Sequence, residues 1–192
     1  MIPFNKPYLS GNELAYMKEA VVSGKISCNG VFTKKCEAFI EKKYGFKKAL
    51  LTSSCTHALE MAALLLNIGP GDEVIIPSFS YVSVANAFVL RGAVPVFADS
   101  GAENPNIDVS GLEKLITPRT KAILVIHYGG IACDIESIMA LAKKHQLYVV
   151  EDAAHAISES LLKMVSTEKL QKGTINDGRA KSIDNPYQRG ET

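Results

Sequence analysis

The sequence predicts an α/β fold built on a mostly parallel sheet with helices on both faces. Short apolar runs of 4 to 6 residues recur at 49–52, 73–77, 94–98, 122–127 and 147–152. Helix-like segments separate these runs, which is the signature of repeated βαβ units. The runs are also nearly continuous in Val, Ile and Leu, where a half-exposed strand would alternate with polar residues, so both sheet faces are expected to be covered.

Taken in order, residues 9–22 and 32–43 read as amphipathic helices, with Thr33 as a cap for the second. Residues 49–52 read as a first strand, followed by Ser53-Ser54-Cys55-Thr56 and a helix over 57–67. Gly69-Pro70-Gly71-Asp72 stops that helix, since Gly and Pro both terminate helical backbone. A second strand at 73–77, a helix at 82–90 and a third strand at 94–98 follow. A short helix at 110–116 starts on a Ser cap, and a fourth strand at 122–127, a helix at 135–145 and a last strand at 147–152 complete the body.

The composition changes after Ile157: residues 158–192 hold only 9 apolar residues in 35. One helix is expected near 159–171 and a poorly ordered tail beyond it. The expected organisation is therefore an α/β body over 1–157 and a divergent tail over 158–192. No internal repeat or low-complexity tract is visible.

Composition excludes several classes. The chain has 192 residues, 47% of them hydrophobic and 21% charged, enough apolar content to bury a core. Lys plus Arg number 21 against 20 for Asp plus Glu, so the strong basic excess of a dedicated nucleic-acid binder is missing. The longest apolar stretches, 61–66 and 122–126, fall far below the roughly 18 residues of a membrane span. Residues 1–7 show no charged-then-apolar signal pattern, so a cytoplasmic protein is expected. Cys28, Cys36, Cys55 and Cys133 form no C-x-x-C pair, which indicates free thiols and neither a zinc site nor a disulfide scaffold.

Ligands of open α/β sheets gather at the carboxyl ends of the strands. There the sequence places Ser53-Ser54-Cys55-Thr56 at a helix mouth, Phe79 and Tyr81 after the second strand, His127-Tyr128-Gly129-Gly130 after the fourth, and Glu151-Asp152-Ala153-Ala154-His155 at the last. Hydroxyls and free N–H groups at a helix start suit a phosphate, although ordinary capping is the competing reading. Tyr81 could stack on a planar ring or simply pack. An acid at a buried strand end needs a cation; Asp152 could meet a protonated pyridine nitrogen or cap the next segment. Rival motifs are missing: no G-x-G-x-x-G, no G-x-x-x-x-G-K-[ST], no G-x-S-x-G and no H-E-x-x-H occurs.

These strand ends resemble the DegT/DnrJ/EryC1/StrS family of sugar aminotransferases. The resemblance is carried by Ile2-Pro3-Phe4-Asn5, Ser53-Ser54-Cys55-Thr56, Pro70-Gly71-Asp72-Glu73-Val74-Ile75, residues 85–93, His127-Tyr128-Gly129-Gly130, residues 139–145 and Val150-Glu151-Asp152-Ala153-Ala154-His155. It spans about residues 1–157 in the family's order and spacing, and is closer to the galactose-configured subgroup. The resemblance implies part of a fold-type I pyridoxal-phosphate-dependent transferase large domain, with the small C-terminal domain missing. It further implies pyridoxal 5'-phosphate as cofactor, with Cys55 and Thr56 on the phosphate, Tyr81 stacked on the ring, Asp152 on the ring nitrogen and His155 near the phenolic oxygen. Glutamate and a dTDP-4-keto-6-deoxyhexose are the implied substrates, in surface-polysaccharide synthesis of the enterobacterial common antigen or O-antigen type. A homodimer is implied, with no nucleic-acid or membrane partner and no metal.

One departure stands against this. Family members continue into a Gly-rich stretch and a Ser-Phe-x-x-x-Lys-type motif whose lysine holds the cofactor covalently and shuttles protons. Lys181 lies 29 residues past Asp152, near the expected distance, but Gly178-Arg179-Ala180 and Ser182-Ile183-Asp184 do not match. A truncated or frame-disrupted product is the resulting expectation. The alternatives are an aminotransferase, a remnant that binds cofactor phosphate without turnover, and a lysine-lacking relative that uses a His for dehydration.

Overall fold

The structure, a computed structural model, describes residues 6–156. It divides into two compact units, Met1–Ser53 and Ser54–Thr192.

The first unit holds two helices, α1 (Glu13–Val22) and α2 (Val31–Tyr44). Glu13 anchors the start of α1 by accepting the Ser10 N–H (2.6 Å) and hydroxyl (2.9 Å) and the Gly11 N–H (3.0 Å). The cap of α2 is Gly30, not Thr33, and the helix ends on Gly45 in the left-handed conformation (φ 71°). Neither helix buries a residue, so Leu14, Met17, Val21 and Phe39 are exposed.

The strand expected at 49–52 does not form. Its backbone is held by side chains of α2: Glu41 accepts the Ala49 N–H (3.0 Å) and Glu37 the Leu51 N–H (3.2 Å). Donors satisfied by carboxylates are no longer offered to a neighbouring strand. A run of four apolar residues carries no period long enough to have excluded this outcome.

The second unit, which starts at Ser54 and not at the expected residue 1, holds the expected parallel α/β sheet. Its four strands, β1 (Glu73–Pro77), β2 (Val94–Ala98), β3 (Thr120–Ile126) and β4 (Tyr148–Asp152), form one sheet in the order β2-β1-β3-β4, every pair parallel. Its helices are α3 (Cys55–Leu65), α4 (Val82–Val89), α5 (Val109–Leu112) and α6 (Ile135–His145), with single 3-10 turns at Glu113–Leu115 and Tyr128–Gly130. The cap of α5 is Asp108, whose carboxylate accepts the Ser110 N–H, so Ser110 sits inside the helix.

Strand alternation sorts the core into two layers. Val74, Ile76, Ala122, Leu124 and Ile126 pack with Leu59 and Ala63 of α3 and Val84, Ala87 and Phe88 of α4. Ile75, Ile123 and Val125 face the other way, against Leu112 and Ile138. The central strands β1 and β3 are buried almost throughout, whereas the edge strands β2 and β4 are half-covered. At the amino end of β1, Glu73 is buried yet accepts hydrogen bonds from Arg119 (Nε, 2.9 Å) and the Thr117 hydroxyl, which hold its carboxyl below the ordinary glutamate range.

No helix among the described residues is long and apolar enough to cross a membrane.

Candidate active site

Within the second unit the carboxyl ends of β1, β3 and β4 and the start of α3 carry the residues the sequence singled out. The chain runs from β1 to its neighbour β2 and then crosses to β3 on the other side, so the strand order reverses between β1 and β3. Such a reversal opens a crevice beyond the strand ends.

Three rings stand in a row there. Phe79, after β1, meets Tyr128, after β3, at 4.9 Å in an edge-on arrangement. Tyr128 meets His155, after β4, at 5.5 Å and 85°. Tyr81 is the cap residue of α4 and is 76% exposed, outside that row. Gly130 (φ 84°) needs its left-handed backbone, and a Cβ on it would lie 3.3 Å from the carbonyl of His155. Gly129 donates its N–H to Nδ1 of His155 (3.2 Å), so the glycine turn sets the direction of that ring.

Asp152 ends β4 and is 7% exposed. Its Oδ1 accepts the Ala154 N–H (3.0 Å) and the thiol of Cys55 (3.4 Å), and its Oδ2 has no partner among the described residues. Cys55 is the first residue of α3; the Ser54 hydroxyl caps this helix by accepting the His57 N–H (3.2 Å). Burial, and then the charge and hydrogen bond of Asp152, push the Cys55 thiol up to about 11, so it stays protonated at neutral pH. The N–H groups of Cys55 and Thr56 belong to the open first turn of α3 and have no partner among the described residues.

Behind this site, on the opposite sheet face, lies a buried polar network. Alternation along β4 turns Glu151 away from Asp152. Glu151 meets Nε2 of the buried His127 at 3.0 Å, while Nδ1 of His127 accepts the Cys133 N–H (3.1 Å). Hydrogen bonding toward Cys133 and Glu151 pulls the imidazole upward, but a second proton would have to displace the Cys133 amide from Nδ1. These bonds are complete with a neutral ring carrying its proton on Nε2. Asn106, also buried, clamps the glycine turn by donating to the Ile131 carbonyl (2.9 Å) and accepting the Tyr128 N–H (3.0 Å).

Cys55, Thr56, Asp152 and His155 thus lie on adjoining elements of one unit, with Tyr81 after β1 at its rim. Lys181 lies outside the described residues, as do Ile2-Pro3-Phe4-Asn5 and the tail beyond 157. Sequence reasoning missed the direct bond between Cys55 and Asp152, the ring row through Phe79, and Asn106. Phe79 carries one sequence signal, its place just past β1; Asn106, in the loop after β2, and the pairing of Cys55 with Asp152 carry none.

The start of α3 offers N–H donors to an anion, and the neighbouring carboxylate of Asp152 offers an acceptor to a cation. Comparison with known proteins gives the family. The DegT/DnrJ/EryC1/StrS aminotransferase family matches residues 7–168, and the chain belongs to this family. It is 42% identical over 159 residues to the spore coat polysaccharide biosynthesis protein SpsC of Bacillus subtilis, covering 81% of this chain and 40% of SpsC. It is 42% identical over 151 residues to GDP-perosamine synthase of Caulobacter vibrioides, covering 79% and 41%. Spr1654 of Streptococcus pneumoniae, solved in a PLP form, superposes with a TM-score of 0.77 at 31% identity over 82% of this chain and 44% of that one. NtdA of Bacillus subtilis, solved with bound cofactor PMP, gives a TM-score of 0.72 at 33% identity over 75% and 33%. The chain thus spans about two-fifths of the length of the curated relatives it matches. The cofactor states of these neighbours support pyridoxal phosphate as the family's cofactor.

Proposed function

We propose that the chain carries the cofactor-holding strand ends of a pyridoxal-phosphate-dependent sugar aminotransferase, moving an amino group from glutamate to a dTDP-4-keto-6-deoxyhexose in surface-polysaccharide synthesis. The observation that carries this reading is Asp152, a buried carboxylate with one oxygen unpartnered among the described residues, set at the strand end next to the first turn of α3. Pyridoxal phosphate, when bound, supplies the electron sink through which amino acid and keto sugar exchange an amino group.

The chain's own residues would hold and tune that group. The N–H groups of Cys55 and Thr56, with the Thr56 hydroxyl, bind the phosphate at the helix start, where the dipole favours an anion. Asp152 keeps the ring nitrogen protonated, because a buried carboxylate is stabilised by an adjacent cation. Tyr81 covers a ring face, and His155 stands toward the phenolic oxygen. A homodimer is part of the proposal, supported by the exposed apolar residues of α1 and α2.

The test is transfer of nitrogen-15 from labelled glutamate to dTDP-4-keto-6-deoxyhexose, read by mass spectrometry of the sugar, with the GDP-linked analogue in competition. Labelled dTDP-amino sugar is expected; preference for the GDP sugar, as the name of the Caulobacter relative suggests, would overturn the nucleotide assignment.

A second reading, cofactor binding without transfer, has one observation behind it: the family match ends at residue 168, ahead of Lys181. Borohydride reduction in the presence of pyridoxal phosphate, followed by peptide mapping, separates the two. A specific adduct on Lys181 supports the aminotransferase, and no specific lysine adduct supports the second reading.

A further inference from the structure

We propose that Cys55 is a positioning residue whose thiol fixes the rotation of the Asp152 carboxylate, so that Oδ1 is occupied by the protein and Oδ2 is the oxygen left for a ring nitrogen. This rests on the pyridoxal-phosphate reading of the site.

Three facts support it. Oδ1 receives both the Cys55 thiol (3.4 Å) and the Ala154 N–H (3.0 Å), and Oδ2 receives nothing among the described residues. The two partners approach from different elements, the start of α3 and the turn after β4, which is enough to define the plane of a carboxylate. A thiol is also a weak donor, so it orients the carboxylate while drawing off little of the charge that a cationic ring needs.

Among the described residues no other titratable side chain hydrogen-bonds this pair. The neighbouring α4 carries no titratable side chain, and on α3 itself only His57 and Glu60 follow. Glu151 is turned to His127, His155 to Gly129, and Glu73 to Arg119 at the far end of the sheet. The role is distinct from phosphate binding, which uses the backbone N–H of Cys55 and survives truncation of its side chain.

The first arm of the test needs no cofactor. Alkylation of Cys55 in the full 192-residue chain is followed against pH by peptide mass spectrometry, in the wild type and in Asp152→Asn. The asparagine keeps an oxygen for the Ala154 N–H, removes the charge and turns the second oxygen into an NH2 donor. Free thiols titrate near 8.5, and the wild-type profile is expected to rise toward about 11. In Asp152→Asn the midpoint falls, with about a threefold to tenfold gain in rate at pH 8.5, one unit being tenfold in thiolate; burial, the largest cause of the wild-type shift, remains and keeps the fall partial. Continued protection of the buried Cys133 reports that the variant is folded. Coincident profiles overturn the pairing.

The second arm reads pyridoxal-phosphate affinity by absorbance titration of Cys55→Ala and Cys55→Ser. Weakening of several-fold in the alanine variant and rescue by the serine hydroxyl are expected. Alanine and serine variants that behave alike, both tight or both weak, overturn the positioning role. A wild-type chain that binds no pyridoxal phosphate overturns the cofactor reading and the role toward the ring with it, and a shifted alkylation profile would then still establish the pair.

Discussion

Glu73 shows how one side chain at a strand start converts protonation into stability. Its carboxyl is buried, bound by Thr117 and Arg119, and held below the ordinary glutamate range. A depressed carboxyl contributes stability that is fully present above the unfolded-state value near 4.3 and is lost as pH falls through the folded-state value. Chemical denaturation of the wild type and Glu73→Gln should therefore differ most above about pH 5 and converge in more acidic solution; a gap independent of pH would contradict the assignment. Gly92 is held by backbone geometry instead: with φ at 84° and a Cβ that would fall 3.2 Å from Cα of Pro70, Gly92→Ala should cost about 1–2 kcal/mol or more. Equal denaturation midpoints for the two proteins would refute that. At this scale the sequence revealed Asp152 as an acid at a strand end, but it could not reveal its partner. Cys55 stands 97 residues away, and nothing local to either residue encodes their meeting.

At the scale of the element, α3 joins core and site. Its inner face buries Leu59 and Ala63 against the sheet, and its first turn presents Cys55 and Thr56. Removing the cap with Ser54→Ala should lower stability by about 1 kcal/mol, measured by thermal unfolding; no change would show that the cap does not hold the helix start. Phe88 of α4, fully buried in the same layer, should cost about 3–5 kcal/mol as Phe88→Ala. A loss under 1 kcal/mol would place that ring outside the core. The central strands Glu73–Pro77 and Thr120–Ile126 were legible because buried parallel strands leave continuous apolar runs, and the half-covered Val94–Ala98 and Tyr148–Asp152 because they keep such runs at the sheet edges. The run at 49–52 looks the same in sequence and yet forms no strand, since Glu37 and Glu41, on a helix upstream, take its N–H groups. Caps slipped for a similar reason: Gly30 and Asp108 precede their helices where Thr33 and Ser110 looked equally suited.

At the scale of the molecule, alternation along β4 assigns two consecutive acids two tasks. Asp152 faces the layer of α3 and α4, while Glu151 faces the opposite layer and holds His127 beneath the glycine turn. One face thus carries a buried charge at the strand ends and the other braces the loops beside it, at the point where the strand order reverses. The central claim is that the start of α3 and Asp152 together hold pyridoxal phosphate. The most direct measurement is equilibrium titration of the chain with pyridoxal phosphate and with pyridoxal, in the wild type and Asp152→Ala. The account predicts saturable binding of pyridoxal phosphate by the wild type, weakened roughly tenfold or more both by loss of the phosphate and by loss of the carboxylate, as expected for charge-assisted contacts each of about 1.4 kcal/mol or more. Equal affinity for pyridoxal and pyridoxal phosphate, or an Asp152→Ala variant that binds as tightly as the wild type, would contradict it.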